Sequence, residues 1–481
     1  MKLNDLLRGL KPLEIHADME QEITGICYDS RQVQPGNLFV AVSGFAVDGH
    51  KFIPMALEKG AAAVLCEHAP EQGSYVTLAD TREGLALVSA NWFDHPAEKM
   101  TMIGITGTNG KTTSTYLLKH ILEKTVGAKV GLVGTIQNMI GDEVIETERT
   151  TPESFELQEL FFRMKQAGCT HVIMEVSSHA LVLHRVGGIQ FDIGIFSNLT
   201  QDHLDFHKTM EEYRKAKSML FSISDQGIIN VDDEAGVKMI AEAKCPVLTY
   251  SAGKKEADLS AADIQLEPGS VEFTAQYRGE RSHVTLPIPG AFSVYNAMSV
   301  IGAALALEIP MAQIAKALQT AHGVKGRAEV VPTPGRPYTV LIDYSHTPDS
   351  LENILRTVRE FCKGRVLVLF GCGGDRDPVK RSIMGKIASD LADFVVVTSD
   401  NPRTEDPMKI IEQIMEGVRQ GTTPYEVIEN RRQAIRWAME HAQAGDVLVL
   451  AGKGHETYQE IGHEKFHLDE REEVAACLMG K

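Results

Sequence analysis

The chain has no long uninterrupted apolar run and few cysteines for its length. No stretch approaches the roughly 18 apolar residues that a transmembrane helix needs. The first segment, MKLNDLLRGLKPLEIHADME, lacks the apolar core of a signal peptide. The 7 cysteines are scattered, odd in number and without a C-x-x-C pair, which is typical of a reducing compartment. We therefore predict a cytoplasmic protein without a membrane span.

Basic residues are scarce relative to acidic ones. The 48 Lys and Arg residues against 65 Asp and Glu give a formal net charge of −17, which argues against a nucleic-acid partner. A few local Lys or Arg side chains could still hold a small anionic ligand. With 481 residues, 43% of them hydrophobic and 23% charged, the composition is that of a globular protein of about two to four domains. We expect a monomer that binds small-molecule substrates.

The pattern of apolar runs divides the chain into three blocks, residues 1–98, 99–330 and 331–481. The first contains short strands and helices, among them the strand-like NLFVAV. The second begins with a strand, a glycine turn and a helix, which is typical of a nucleotide-binding α/β unit. It continues with the buried-strand runs HVIMEV and IGIF, and its polar section 252–290 resembles a short β insertion.

The third block alternates four apolar strands with helical stretches. The strand sequences are TVLIDY, RVLVLFG, FVVVTS and DVLVLAG. Such alternation predicts a mostly parallel sheet with helices on both faces. The whole chain is thus predicted to be an α/β protein of three domains, with a central P-loop ATPase-like, mostly parallel sheet and a Rossmann-like C-terminal α/β domain.

The stretch GITGTNGKTT, residues 104–113, has the composition of a phosphate-binding loop. Gly104, Gly107 and Gly110 would let the backbone approach a phosphate at the N-terminus of the next helix. Lys111 would add a positive charge, and the Thr112 hydroxyl can coordinate Mg²⁺. The loop has the short G-x-x-G-K-T form, and a tight turn without a ligand is the alternative. The combination of strand, Gly-Lys-Thr and helix favours a nucleoside triphosphate.

Polar side chains follow the next two strands. The first strand ends at Glu175, and the residues that follow the two strands include Ser177, Ser178, Asp202, His203 and His207. A carboxylate at the carboxyl end of a buried strand is where an α/β protein places a Mg²⁺ ligand. Each residue alone could be ordinary loop polarity, but the cluster favours a functional site.

Lys217 stands out among the lysines of HKTMEEYRKAKSMLF. Thr209 and Glu212 have capping-box spacing, so a helix is expected to begin there. On that helix Lys217 shares an apolar stripe with Met210, Tyr213 and Leu220. The lysine could keep its head in water while its stem is buried. A desolvated lysine would instead have a lowered pKa and could take up CO₂ as a carbamate.

The chain resembles the Mur ligases of bacterial peptidoglycan synthesis over nearly its whole length. The shared motifs occur in the family's order and are TGTNGKTT, MEVSSHAL, SNLTQDHLDFH, YRKAKSMLF, YNAMSV, GRAE, DYSHTPDS, GGDRD, DNPR and GKGHE. The resemblance implies an ATP-dependent ligase that activates a carboxylate as an acyl phosphate and joins it to an amine. The implied reaction adds meso-2,6-diaminopimelate to UDP-N-acetylmuramoyl-L-alanyl-D-glutamate.

The resemblance also implies roles for the nucleotide and metal site. ATP would be bound by Gly107, Thr108, Asn109, Gly110, Lys111, Thr112, Thr113, Asn296, Arg327 and Asp343. Thr112 and Glu175 would bind one Mg²⁺, and His203 and carbamylated Lys217 (N6-carboxylysine) a second. The catalytic residues would be Lys111, Lys217, Glu175 and His203. Asn296 could equally be a buried structural hydrogen bonder.

Two further sets of residues match the family's substrate contacts. For the UDP-sugar and its peptide these are Ser30, Thr150, Thr151, Ser177 and Arg185, while Leu183 stands where some relatives have a glutamine. For diaminopimelate they are Arg376, Asp400, Asn401, Pro402, Arg403, Gly452 and Glu456. A guanidinium suits the second carboxylate of diaminopimelate, which lysine lacks. In isolation, however, Arg403 would be interpreted as a solvated turn residue.

Three alternatives remain at this level. A lysine-adding ligase would differ in the region of Arg403. A folylpolyglutamate synthetase would share the ATP core without needing the YDSR and DNPR motifs. A P-loop switch protein would be favoured by a guanine-specific N-K-x-D motif, which is absent from the sequence.

Overall fold

The computed structural model describes residues 1–44, 47–147, 149–253 and 256–480. Its contacts separate two compact units, Met1–Tyr250 with Gly302–Glu308, and Ser251–Ile301 with Ile309–Lys481. These units do not test the predicted boundaries near residues 98 and 330, which stay predictions. None of the helices in the described part of the chain combines the length and apolarity needed to cross a membrane.

The first unit begins with a five-stranded sheet of order β1-β5-β4-β3-β2, parallel except for β1. Its strands are β1 Glu14–His16, β2 Gly25–Cys27, β3 Asn37–Val40, β4 Ala63–Cys66 and β5 Tyr75–Thr77. Its helices are α1 Leu3–Leu6, α2 Ile53–Glu58 and α3 Thr81–Trp92. Asp80 caps α3 by accepting from the amides of Arg82 and Glu83, which satisfies donors that a helix start leaves open.

The larger sheet of this unit carries the glycine loop. In it the strands run in the order β13-β12-β11-β6-β10-β7-β8-β9. The strands are β6 Thr101–Thr106, β7 Val130–Val133, β8 Asn138–Ile140, β9 Glu143–Ile145, β10 His171–Glu175, β11 Phe191–Phe196, β12 Ser224–Asn230 and β13 Val247–Ser251. The helices are α4 Lys111–Thr125, α5 Ser154–Gln166, α6 Ser178–Val182, α7 Leu204–His207, α8 Met210–Ser218 and α9 Glu234–Glu242.

Parallel pairing brings the functional loops to one edge of this sheet. Strand β6 pairs in parallel with both β10 and β11, so their carboxyl ends lie side by side. The predicted strands HVIMEV and IGIF are confirmed as β10 and part of β11. Their near-continuous burial is typical of parallel strands with both faces covered.

The second unit begins with an antiparallel meander. Its three strands are β14 Leu259–Glu267, β15 Ser270–Tyr277 and β16 Glu280–Leu286. They are followed by helix α10 Ala291–Ala306, whose residues from Gly302 onward belong to the first unit, and by helix α11 Met311–Leu318. The short β insertion predicted over 252–290, of which residues 254 and 255 lie outside the described part, is therefore three strands of 9, 8 and 7 residues. Over part of its length each strand alternates fully buried positions with less buried ones, as one covered sheet face requires.

The remainder of this unit is the predicted parallel sheet, with strand order β17-β18-β22-β19-β20-β21. Its strands are β17 Glu329–Val331, β18 Thr339–Asp343, β19 Val366–Phe370, β20 Phe394–Val397, β21 Tyr425–Val427 and β22 Val447–Ala451, and a separate hairpin comprises β23 Tyr458–Ile461 and β24 Glu464–His467. The helices are α12 Pro348–Phe361, α13 Val379–Leu391, α14 Pro407–Val418, α15 Arg431–His441 and α16 Glu470–Leu478. All four apolar runs predicted as strands are strands, paired in parallel.

Helices α13 and α14 pack so closely that only glycine fits at their contact. A Cβ on Gly417 would lie 1.8 Å from the Ser382 carbonyl oxygen. We predict that Gly417→Ala lowers the free energy of unfolding by about 1–3 kcal/mol or more, because the backbones must separate. Urea unfolding measures the change. Gly269→Ala, in a turn with nothing within 4 Å of the added Cβ, is the control, and equal stabilities of the two variants would contradict the prediction.

Candidate active site

The loop between β6 and α4 is held by hydrogen bonds to the segment after β11. The amides of Thr108 and Asn109 donate to the backbone oxygen and to Oδ1 of Asn198, at 2.8 and 2.9 Å. Ser197 Oγ donates to the Asn109 carbonyl at 2.7 Å. These two amides are therefore engaged within the protein. The N-terminus of α4, whose first amides have no acceptor within the helix, is the part of the loop suited to an anion.

The three glycines of this stretch are required for different reasons: two for their backbone conformation and one for close packing. Gly107 and Gly110 have φ angles of +148° and +87°, which side chains rarely adopt. Gly104 instead lies within β6, where an added Cβ would be 2.9 Å from the Phe191 ring and 3.1 Å from Val176. The prediction that Gly104 lets the backbone approach a phosphate is wrong, since this glycine serves close packing between sheet and core.

Two lysines converge on one backbone oxygen of the loop. Lys111 Nζ and Lys217 Nζ donate to the Gly107 carbonyl at 2.9 and 2.8 Å. Lys217 is 2% exposed. Burial, together with repulsion from Lys111, lowers the pKa of Lys217 well below its ordinary value. Of the two interpretations of Lys217, the structure therefore favours the desolvated amine over a lysine with its head in water.

The ring of Tyr213 lies against Lys217. Helix α8 begins after Thr209, whose hydroxyl accepts from the Glu212 amide at 3.1 Å, as predicted. Tyr213 places its ring 4.5 Å from Lys217 Nζ and 6.0 Å from the His203 ring. His203 is about half exposed and lies 3.4 Å from Asp202. His203 and Lys217 thus both contact Tyr213.

His207 is a buried member of the predicted polar cluster. It hydrogen-bonds Ser178 Oγ at 2.8 Å, so residues following β10 and β11 do come together. Burial, with repulsion from His179 and Lys217, lowers the pKa of His207 to about 4. The ring is neutral at physiological pH.

Glu175 at the end of β10 lies against the start of α4. Its Oε1 accepts from the Thr112 hydroxyl and from the Thr135 amide, both at 2.9 Å, and its Oε2 accepts from the Thr135 hydroxyl at 2.9 Å. A carboxylate beside a hydroxyl is the oxygen donor set that Mg²⁺ prefers, so these residues fit the ion. Within the described residues, no group of three or more His, Cys, Asp and Glu side chains is arranged for a metal.

The threonines proposed for the peptide substrate adjoin Glu175. Thr151 Oγ1 donates to the Glu175 backbone oxygen at 2.9 Å and accepts from the Ser177 amide at 3.2 Å. Thr150 Oγ1 is 3.0 Å from the Thr135 hydroxyl. Arg185 donates to the Thr151 backbone oxygen at 3.1 Å. The structure therefore brings four of the five predicted substrate residues into one connected group.

Arg185 has an unsatisfied donor. It pairs with Glu153 at 2.7 Å, and Arg149 pairs with the same carboxylate at 2.7 Å. The Arg185 Nε–H is buried and has no hydrogen-bond partner in the described structure. A buried unpaired donor costs about 1–3 kcal/mol, which favours a ligand acceptor at this point.

A cleft of about 350 Å³ is lined mainly by α5 and by residues at and after the end of β9, with Tyr28 contributed from the N-terminal part of the chain. Its lining residues are Tyr28, Asn138, Ile145, Glu146, Thr147, Arg149, Pro152, Glu153, Glu156, Glu159, Leu160 and Arg163. Tyr28 donates to Glu156 at 2.5 Å. Ser30, the fifth predicted substrate residue, is buried two positions after Tyr28, and Leu183 is half-buried at the end of α6.

In the second unit, three residues predicted to contact the nucleotide have distinct surroundings. Asn296 Nδ2 on α10 and Arg327 Nε are buried without a hydrogen-bond partner among the described residues. Asp343, at the end of β18, accepts from the amides of Ala328 and Ser345 at 2.7 and 3.0 Å. Burial raises the pKa of Asp343. The unpaired Asn296 donor argues against the structural alternative for that residue.

A fully buried lysine, which the sequence reasoning missed, joins the DNPR and GKGHE motifs. Lys453 Nζ donates to Asn401 Oδ1 at 2.8 Å and lies 3.7 Å from Asp400 and 3.5 Å from Glu456. Burial alone would raise the pKa of Asp400, but attraction from Lys453 and Arg431 outweighs it and holds the pKa below its ordinary value. A charged residue between glycines, directly after a buried strand, was the available signal.

Asn401 and Gly452 complete the contact between the two motifs. Asn401 Nδ2 donates to Glu456 at 2.9 Å. A Cβ on Gly452, whose φ is +111°, would lie 2.8 Å from Asp400 Oδ2, so a larger residue would displace that carboxylate.

Arg403 is oriented by another residue that the sequence reasoning missed. Its Nε donates to Glu460 at 2.9 Å and its Nη1 to the Gly374 carbonyl at 2.9 Å. The loop of Gly374 packs on Pro402. Arg376, on the same loop, is exposed and donates to the Asp375 backbone.

Three Mur ligase family models match the chain. "Mur ligase family, catalytic domain" matches residues 22–93, "Mur ligase middle domain" 105–304, and "Mur ligase, glutamate ligase domain" 326–454. A UDP-N-acetylmuramoyl-L-alanyl-D-glutamate--2,6-diaminopimelate ligase from Caldanaerobacter subterraneus is 49% identical over 482 residues, covering 99% of each chain. The chain belongs to the Mur ligase family. It is therefore an ATP-dependent, amide-forming ligase with the family's three-domain α/β fold.

Other Mur ligases agree with this assignment. The ligase of the same name from Clostridium botulinum is 48% identical over 485 residues, with 99% of both chains covered. A solved structure of a UDP-N-acetylmuramoyl-L-alanyl-D-glutamate--2,6-diaminopimelate ligase is similar with a TM-score of 0.77 and 32% identity, covering 100% of this chain and 99% of that one.

The lowered pKa of Lys217 predicts how stability depends on pH. At pH values between that pKa and about 10.4, the unfolded chain binds one more proton than the folded chain. The free energy of unfolding of the wild type should therefore fall by up to about 1.4 kcal/mol for each unit by which the pH is lowered, relative to that of Lys217→Met. Urea unfolding of both proteins across this range, in CO₂-free buffer, measures the difference. Lys215→Met, altering an exposed lysine of the same helix, should show no such slope. A pH-independent difference for Lys217→Met would contradict the prediction.

Proposed function

We propose that the chain joins the D-glutamyl carboxylate of UDP-N-acetylmuramoyl-L-alanyl-D-glutamate to an amine of meso-2,6-diaminopimelate at the expense of ATP. The proposal follows the printed names of its full-length relatives. The observation that carries the choice of amino acid is Arg403 at the end of β20, with its guanidinium plane fixed by Glu460 and Gly374. A fixed guanidinium suits a carboxylate on the incoming substrate.

Lys111 and the start of α4 are proposed to hold the ATP phosphates. In the structure Lys111 Nζ bonds two loop carbonyls, those of Gly107 and Thr108, so it lies within reach of a phosphate seated on the loop. Its charge would offset the repulsion between the γ-phosphate and the attacking carboxylate. In that step the carboxylate oxygen bonds to the γ-phosphorus and ADP leaves, which gives an acyl phosphate. The amine then attacks the acyl carbon, inorganic phosphate leaves, and the nitrogen loses a proton.

Mg²⁺ would supply further neutralisation of phosphate charge. Thr112 and Glu175 are proposed to hold one ion, since their oxygens already lie together. His203 and carbamylated Lys217 are proposed for a second. A neutral amine is required for CO₂ uptake, and the burial of Lys217 favours that form.

Substrate contacts are proposed on the same basis. The unpaired Arg185 donor and the adjoining Thr150, Thr151 and Ser177 would receive the peptide, with Ser30 on the UDP side. Asn296, Arg327 and Asp343 would contact the nucleotide. For diaminopimelate, Arg403 with Arg376 would receive carboxylates. Asp400 would receive the distal ammonium, and Asn401, Pro402, Gly452 and Glu456 would complete the pocket.

Three broader expectations stay predictions. They are the domain boundaries near residues 98 and 330, the monomeric state and the cytoplasmic location. The scattered cysteines, odd in number and without a C-x-x-C pair, support the cytoplasmic location.

A panel of amino acids tests the proposed function. With UDP-N-acetylmuramoyl-L-alanyl-D-glutamate and ATP, phosphate release is expected to depend on meso-diaminopimelate. Its kcat/KM should exceed that for L-lysine at least tenfold, because lysine leaves a guanidinium unpaired at a cost of about 1–3 kcal/mol. Equal use of L-lysine would contradict the selectivity. Release independent of any amino acid would indicate a switch, and use of a folate substrate would indicate the synthetase alternative.

Removal of the Lys217 side chain tests the carbamate. Lys217→Ala is expected to lose nearly all ligation, with partial recovery on adding short carboxylic acids, which can replace the missing anion. Lys215→Ala, on the exposed side of α8, is the matched control and should be unaffected. After incubation with ¹³C-bicarbonate, the wild type should show a carbamate NMR signal that Lys217→Ala lacks. Unchanged activity of Lys217→Ala would refute the carbamate.

A further inference from the structure

Arg403 has a backbone conformation that its own residue type disfavours. Its φ of +50° lies in the left-handed region, which costs a residue with a side chain roughly 1–2 kcal/mol. The Arg403 amide donates to the Glu460 carbonyl at 3.1 Å, and the Gly462 amide donates to the Arg403 carbonyl at 2.8 Å. Strain of this kind persists only where the surroundings hold it. Here the hairpin β23–β24 holds the residue from both sides.

The same hairpin also fixes the Arg403 side chain. Glu460 Oε2 accepts from Nε, and the Gly374 carbonyl accepts from Nη1. Because a guanidinium is planar, two bonds to different nitrogens fix its plane. The Arg403 and Glu460 side chains are 20% and 24% exposed. The Arg403 side chain is therefore only partly covered, which leaves room for contact with a ligand carboxylate.

The hairpin is itself anchored to the DNPR segment. Lys453 donates to the Tyr458 carbonyl at 2.8 Å, and Gln459 donates to the Asp400 carbonyl at 2.6 Å. The Glu460 amide donates to Asn401 Oδ1 at 3.0 Å. In contrast, all four residues of β24 are exposed. The inward bonds of β23 thus concentrate on the segment that carries Arg403.

We propose that Glu460 is a positioning residue for amino-acid selection, which it serves by holding the Arg403 guanidinium in the orientation that receives a substrate carboxylate. This inference rests on the proposed function. Without Glu460, the Arg403 side chain keeps its charge but can adopt more rotamers. Binding of a substrate carboxylate must then restrict those rotamers, and the lost side-chain entropy weakens binding. The loss is expected in binding of the diacid and not in use of ATP.

Glu460→Ala and Glu460→Gln test the proposal. Glu460→Ala should raise KM for meso-diaminopimelate by about tenfold, equivalent to about 1.4 kcal/mol, with kcat and KM for ATP unchanged. The preference of Glu460→Ala for meso-diaminopimelate over L-lysine should fall by a similar factor. Glu460→Gln keeps an oxygen that can accept from Nε, so it should restore most of the affinity. Glu464→Ala, an exposed glutamate on β24, is the control and should match wild type.

The outcomes separate this inference from the proposed function. Unaltered KM for diaminopimelate in Glu460→Ala overturns the inference alone, as does a matching rise in KM for ATP, which indicates a general structural role. A wild-type chain that releases no phosphate with diaminopimelate overturns the proposed function and the inference with it. Melting temperatures check folding, and if Glu460→Ala does not fold, Glu460→Asp replaces it with the same expectation, because its shorter carboxylate no longer reaches Nε.

Discussion

The Gly107 carbonyl oxygen, which accepts from both Lys111 and Lys217, is the contact on which the first unit's site depends. Two lysines cannot both carry full charge cheaply around one buried oxygen. The conflict is resolved by burial of Lys217, which lowers its pKa and favours the neutral amine. The positive charge therefore stays on Lys111 at the phosphate loop. The lowered pKa of Lys217 favours the neutral amine beside it, which is the form that carbamate formation requires.

Much of the fold could be predicted because its strands are buried on both faces. The runs HVIMEV, RVLVLFG and DVLVLAG are apolar at nearly every position, which distinguishes parallel strands from surface ones. The meander over β14–β16 was underestimated. Its first strand ends in ADIQLE, whose charged and amide side chains are exposed, so the segment was predicted only as a short β insertion in a polar section. Half-exposed strands have a weak signal against ordinary surface composition.

Site residues could be predicted where the signal is a local sequence pattern around the residue itself. They could not be predicted where the residue acts by positioning another residue far away in the sequence. The Lys217 stripe and the Thr209 cap follow from helical spacing alone. Glu460 lies 57 positions from its partner Arg403 in the sequence, and no local pattern joins them. For Gly104 a local motif suggested a functional role that the structure does not give it. It shares the loop's composition, yet its neighbour in space is Phe191, which only the sheet pairing reveals.

The hairpin around residues 458–467 changes how this ligase could be redesigned. Specificity is usually sought in the residues that touch the ligand. Here the backbone of residue 403 is held in the left-handed region by a hairpin distant in sequence, which hydrogen-bonds both its amide and its carbonyl. Exchanging that residue alone would leave the new side chain in a left-handed backbone conformation that residues other than glycine disfavour. Transplanting a different amino-acid preference therefore calls for moving the loop and the hairpin together, as one module.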